Sequence, residues 1–233
     1  MLERTGAAQR TTLGASSVKR LLDVLVAAIL LVPALPLILI LGLLVKLDSR
    51  GPAFYLSERM GLNGCVFKMF KLRTMKHLPA EPHGLPLTHA GDPRTTRIGS
   101  LLRRLKVDEL PQIFNVIKGD MSLVGPRPED PFFLPYLGGQ AEVLLSCRPG
   151  ITGPASLRFS NEEALLGDKD TIEHYVEVIL PQKVALDLAY IDHWRLGTDA
   201  RIIAGTLAMP IRRLKKNNRV NQPCLFDKKE KFD

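Results

Sequence analysis

The chain has 233 residues, of which 45% are hydrophobic, and carries a formal net charge of +8 with a pI near 9.5. It is long enough to bury a real core, as one domain or one domain with an appendage, and its positive excess points to an anionic partner: nucleic acid, phospholipid or a phosphorylated substrate. Three widely spaced cysteines (Cys65, Cys147, Cys224) exclude a disulfide framework and suggest a reducing compartment, and none has metal-ligand spacing with the five scattered histidines.

Residues 1–17 are polar and basic and read as a disordered lead. From Val24 to Val45 no residue is charged, a length that spans a bilayer. The run is too long for a cleaved signal peptide, and no A-x-A site closes it. Pro33 and Pro36 lie in its middle, where each removes a backbone hydrogen bond. Arg4, Arg10, Lys19 and Arg20 precede the run, and Lys46 and Arg50 follow it, a pattern that keeps both ends on the cytoplasmic side. A re-entrant helix-break-helix over 18–50, with the break at Pro33 and Pro36, meets both constraints; a kinked span and a buried helix of a soluble protein stay open beside it. Asp23 is placed near the headgroups, because a charge at the bilayer centre costs about 3 kcal/mol or more.

After Gly51-Pro52, Phe54–Leu56 and Val66–Leu72 read as two short strands about a turn at Gly61–Gly64. Lys68, Lys71 and Arg73 make either a solvated hairpin face or a cationic wall for a diphosphate. Residues 77–93, rich in His, Pro and Gly, read as a loop. Thr96–Val107 predicts a basic amphipathic helix with Ile98, Leu101, Leu102 and Leu105 on one face, suited to anionic headgroups.

Next come the adjacent carboxylates Asp108 and Glu109. Leu110, Ile113, Phe114 and Ile117 recur at helical spacing, so Asp108 is placed as an N-cap, Pro111 in the first turn and Gly119 at the C-terminal stop. An Asp there either stabilises only the helix, by about 0.5–2 kcal/mol, or stands ionised beside a bound phosphate and can attack phosphorus. Arg103, Arg104, Lys106 and the Arg127 of a Pro-Arg-Pro turn supply the cations such a phosphate needs, and magnesium is the expected bridging ion, held by Asp108 and Glu109.

Pro131–Leu137 is aromatic and proline-bounded, suited to core or membrane interface. Arg148 heads a tight Pro-Gly-Ile-Thr-Gly turn, a second candidate anion site. Asn161–Leu166 and Thr171–Trp194 read as helices, the latter broken at Pro181, and Asp199 as the cap of a further helix. Met209–Lys216 is apolar, then basic, and a polar tail of 216–233 ends the chain.

Four stretches in this order, Lys71–Met75 (KLRTM), Asp108–Gln112 (DELPQ), Lys118–Pro128 (KGDMSLVGPRP) and Arg148–Gly153 (RPGITG), resemble the bacterial sugar transferases, the monotopic polyprenyl-phosphate phosphoglycosyl transferases in their small, single-domain form. The resemblance implies transfer of a sugar 1-phosphate from a UDP-sugar to undecaprenyl phosphate, with release of UMP and with magnesium, at the cytoplasmic face of the bacterial inner membrane. It makes Asp108 the nucleophile, Glu109 a metal- or proton-handling partner, Arg103 a phosphate contact, and Arg127 and Arg148 substrate-side arginines. Such enzymes break their re-entrant helix at Ser-Pro, where this chain has Leu35-Pro36 with an extra Pro33.

The expected fold is mainly α with a small β-hairpin (α+β): the re-entrant hairpin of 18–50, then a cytoplasmic catalytic domain of 51–215 with interfacial amphipathic helices. Membrane phospholipids, the UDP-sugar and undecaprenyl phosphate are the expected partners. A nucleic-acid partner is set aside, since the basic patches lack aromatic interleaving and any recognised motif. A non-catalytic membrane adaptor remains the alternative. The sugar, the downstream glycan and the oligomeric state are not legible.

Overall fold

The structure, a computed structural model, describes residues 17–76, 87, 92–162 and 171–216. The expected disordered lead and polar tail, most of the 77–93 loop and most of the helix expected at Asn161–Leu166 lie outside these residues.

Helix α1 (Ser17–Asp48) is continuous over 32 residues, with Pro33 and Pro36 inside it. The expected break is therefore not an interruption of the helix. The neighbourhood that keeps it helical is a buried stripe at near-fourfold spacing (Lys19, Asp23, Ala27, Ala34, Ile38 and Val45 among it), which packs on the rest of the chain. The opposite faces carry exposed Leu21, Leu25, Ile29, Val32, Leu39 and Leu43. Only 17% of its most apolar window is buried. Helix α1 is thus long and apolar enough to cross a membrane, with most of its apolar surface exposed.

Both ends of α1 are fastened to the same body. At the start, Lys19 Nζ donates to Asp199 Oδ2 at 2.6 Å, Asp23 Oδ2 accepts from Ser122 Oγ at 2.6 Å, and Arg20 donates to the carbonyls of Ile117 and Met121. At the finish, Asp48 Oδ2 accepts from Ile98 N–H at 3.1 Å. The Arg73 guanidinium there donates to the carbonyls of Ser49 (2.9 Å) and Pro52 (2.6 Å) and to Ser49 Oγ (2.7 Å), capping the helix end where the dipole is negative.

Strands β1 (Phe54–Met60) and β2 (Val66–Leu72) pair antiparallel, in register from Phe54↔Leu72 to Met60↔Val66. The first strand is longer than its apolar start suggested, because Ser57 and Met60 turn inward and are buried. Helix α2 (Arg97–Leu105) starts at Thr96, whose side chain accepts from Gly99 N–H. Leu102 packs with Val45 and Leu72, while Leu101, expected on the same face, is exposed. A Cβ on Gly99 would lie 2.0 Å from Thr74 O, so only glycine lets α2 approach this closely.

A 3-10 turn (Val107–Glu109) leads into α3 (Gln112–Lys118), which starts later than the sequence pattern placed it. Strands β3 (Ser122–Val124) and β4 (Gly150–Thr152) form a parallel pair. A Cβ on Gly150 would lie 2.1 Å from Gly125 N, so the Pro-Arg-Pro motif and the Pro-Gly-Ile-Thr-Gly motif meet backbone to backbone. A 3-10 segment (Pro131–Gln140), α4 (Ala141–Leu144) and α5 (Pro154–Arg158) follow. The predicted long helix becomes α6 (Thr171–His174), a π-helical turn (Tyr175–Ile179) and α7 (Leu180–Asp192). Pro181 sits in the first turn of α7, where its missing N–H is harmless. Helix α8 (Leu196–Lys216) completes the fold. The expected cap Asp199 lies inside its first turn instead, and its carboxylate accepts from Lys19, Tyr190 and Trp194.

Candidate functional site

The chain enters the site through Lys106, a left-handed residue (φ 59°) that closes α2. Lysine is an uncommon occupant of that region. The sharp reversal swings the following turn inward, so that Asp108 is only 7% exposed. Behind the turn, α3 is pinned to the hairpin by Asn115, which is fully buried. Its Oδ1 accepts from Phe70 N–H at 2.9 Å, and its Nδ2 donates to Lys68 O at 2.8 Å and to Asp120 Oδ2 at 3.1 Å.

The two carboxylates face different surroundings. Glu109 Oε1 is paired with Lys71 Nζ of β2 and Arg127 Nη2, both at 3.3 Å. Burial alone would raise the Glu109 pKa, but the charges of Lys71, Arg127 and Lys106 overcome it and hold the group far below the usual carboxylate range. Glu109 in turn raises Arg127, while burial lowers Lys71. Asp108 Oδ1 is buried and has no hydrogen-bond partner among the described residues. Burial, then the neighbouring charge of Glu109, pushes the Asp108 carboxyl up, against Lys71, Lys106 and Arg103. A buried carboxylate oxygen without a donor is costly unless something cationic meets it.

That oxygen, beside a second carboxylate, fits a hard divalent cation. Among the described residues no group of three or more His, Cys, Asp or Glu could hold a metal. A magnesium ion here would therefore be held by Asp108 and Glu109 with phosphate oxygens and water, its usual mode.

Of the residues singled out in the sequence, Asp108, Glu109, Lys71 and Arg127 come together. Arg103 faces Asp108 electrostatically and is steadied by Nε donating to Thr74 Oγ1 at 2.8 Å. Arg73 is drawn away to the end of α1. Arg148 is drawn to the far end of α3, its Nε donating to Gly119 O at 2.9 Å. Asn115, Glu129, Lys183 and Asp187 support the site and were not singled out. A polar residue on the buried face of a short apolar helix was the available signal for Asn115; the others carried none.

The family model described as "Bacterial sugar transferase" matches residues 14–213. A UDP-glucose:undecaprenyl-phosphate glucose-1-phosphate transferase of Caulobacter vibrioides is 40% identical over 192 residues, 81% of this chain and 68% of that protein. An undecaprenyl-phosphate glucose phosphotransferase of Komagataeibacter xylinus is 39% identical over 83% of this chain, which spans 36% of that protein. An exopolysaccharide production protein ExoY of Sinorhizobium fredii is 36% identical over 81% of this chain and 83% of its own.

Proposed function

Because the chain belongs to the bacterial sugar transferase family, we propose that it transfers a sugar 1-phosphate from a UDP-sugar to undecaprenyl phosphate, as the first membrane step of glycan assembly. The observation that carries this reading is the unpartnered, buried Asp108 Oδ1 beside a Glu109 fixed by Lys71 and Arg127. Asp108 is the nucleophile. Its oxygen attacks the sugar-bearing phosphorus, an Asp108–phosphorus bond forms, the bridging phosphoanhydride bond breaks, and UMP leaves with the electron pair. An oxygen of undecaprenyl phosphate then attacks the same phosphorus and releases Asp108 as a carboxylate. Over the two steps one phosphate, UMP, is exchanged for another, the lipid phosphate, at a single site.

Lys71 and Arg127 hold Glu109 ionised and, with Arg103, offset the negative charge of the diphosphate. Asp108 and Glu109 would hold a magnesium ion, which would supply further charge neutralisation on the phosphates.

We place the protein at the cytoplasmic face of the inner membrane, held there monotopically by α1. This is supported by the two ends of α1, both tied to one body, and by the apolar face left between them. The test is UMP release by nanodisc-held protein across a panel of UDP-sugars, with undecaprenyl phosphate and magnesium. Release that needs lipid and is abolished by Asp108→Asn upholds the reading. Full turnover in that variant removes Asp108 as nucleophile, and silence of folded wild-type protein across the panel returns the chain to the adaptor reading.

A further inference from the structure

Helix α7 backs the turn that carries Arg127 and contributes no group to the carboxylate pair. Pro126 and Pro128 have no backbone N–H, so the N–H of Arg127 is the sole main-chain donor of that tripeptide. It donates to Asp187 Oδ2 at 3.1 Å, and Asp187 Oδ1 accepts from Ala155 N–H at 3.4 Å. Asp187 is 4% exposed. One helical turn earlier, buried Lys183 donates to Glu129 Oε1 at 2.6 Å and to Tyr175 Oη at 2.6 Å, and Tyr175 donates to Glu129 Oε2 at 2.8 Å. The main-chain oxygen of Glu129 accepts from Met60 N–H at the end of β1. Residues 127 and 129 are thus each gripped by a buried charged group of α7, four residues apart and on one face. The Arg127 side chain reaches out of this grip to Glu109.

A cavity of about 30 Å³ lies among Arg127, Glu129, Lys183 and Asp187. It has room for about two water molecules at most, so these charges do not form a substrate pocket. Nor does stability account for the Lys183–Glu129 pair, since buried ion pairs roughly break even against apolar residues of the same volume.

We propose that Asp187 and Lys183 are positioning residues, which fix the backbone from Pro126 to Glu129 and so aim the Arg127 guanidinium at Glu109. The proposal rests on the reading of Glu109 and Arg127 as part of the transferase site. Asp187→Asn keeps the shape but presents an amide N–H₂ to one of the two N–H donors.

Amide hydrogen exchange in nanodisc-held protein reports the clamp directly. In D187N the peptide carrying Arg127 should exchange about tenfold faster, while peptides of α1 and the β1–β2 hairpin keep their protection. Turnover should fall about tenfold in kcat with little change in donor KM, and the loss should largely vanish in an Arg127→Lys background. Unchanged exchange at Arg127 overturns the clamp whatever turnover does. Faster exchange with fully additive losses of turnover overturns the link to the guanidinium. Should D187N not fold, Glu129→Gln makes the same test from the Lys183 arm. If wild-type protein turns over no donor, the proposed function falls, while the exchange result still decides the clamp.

Discussion

Glu109 is kept ionised by two cations, while Asp108, beside it in the chain, keeps one oxygen free of any donor among the described residues. A group meant only to cap a helix would spend that oxygen on a backbone N–H, and its availability supports the proposed role of Asp108 as nucleophile. Asp108→Asn should lower turnover at least about 10³-fold with membrane association intact, as read by UMP release and vesicle flotation. Asp187 makes a different prediction. Burial lifts its pKa to about 7 from 3.8, against the N–H groups of Arg127 and Ala155 and the charge of Lys183, and with the charge of Glu129. Between those values the folded state holds a proton that the unfolded chain has released. The stability contribution is therefore complete below pH 3.8 and is lost as pH rises through about 7. Urea titrations in detergent at pH 5 and pH 8 should show wild type losing stability relative to D187N, by roughly 3 kcal/mol at most.

Among the elements, α3 and the two glycine motifs set the geometry. Asn115→Ala strands Phe70 N–H and Lys68 O, and should cost about 2–4 kcal/mol and loosen α3 from β2, measurable as a lower urea midpoint. Gly150→Ala drives a Cβ into Gly125 N, with backbone rather than a flexible side chain in the way. It should prevent stable folding, which limited proteolysis would reveal. The hairpin and α2 were legible because their patterns are local, short apolar runs about a glycine turn and a one-sided apolar face, and α3 was legible in its apolar spacing and its glycine stop but not in its start. The carboxylate pair and its arginine were legible for the same reason. Arg73 was not, because a basic residue after an apolar strand looks the same whether it faces a phosphate or caps a helix. The supporting residues were not either. Asn115 meets Phe70 across 45 residues, Asp187 meets Arg127 across 60, and Asp199 meets Lys19 across 180. No periodicity reports pairings of that range.

For the whole molecule, α1 is joined to the domain at both ends and carries an exposed apolar face between them. With the native cysteines removed, Ser17→Cys and Arg50→Cys should both be labelled by an impermeant maleimide from the cytoplasmic side only. Labelling of one of them from the periplasm would mean a span. Asp199→Asn weakens the hold on Lys19, Tyr190 and Trp194 together, and should raise exchange at the N-terminal half of α1 while sparing its C-terminal half.

The distance in sequence between Lys19 and Asp199 also sets an order of events in biosynthesis. At about 5–20 residues per second, a ribosome takes roughly 10–35 s to add the 180 residues between them. For all that time the start of α1 lacks its tie to Asp199, while its ties to Ile117, Met121 and Ser122 become available earlier. The tie to Asp199 is the last of these to become available, and closes an attachment that the middle of the chain has begun.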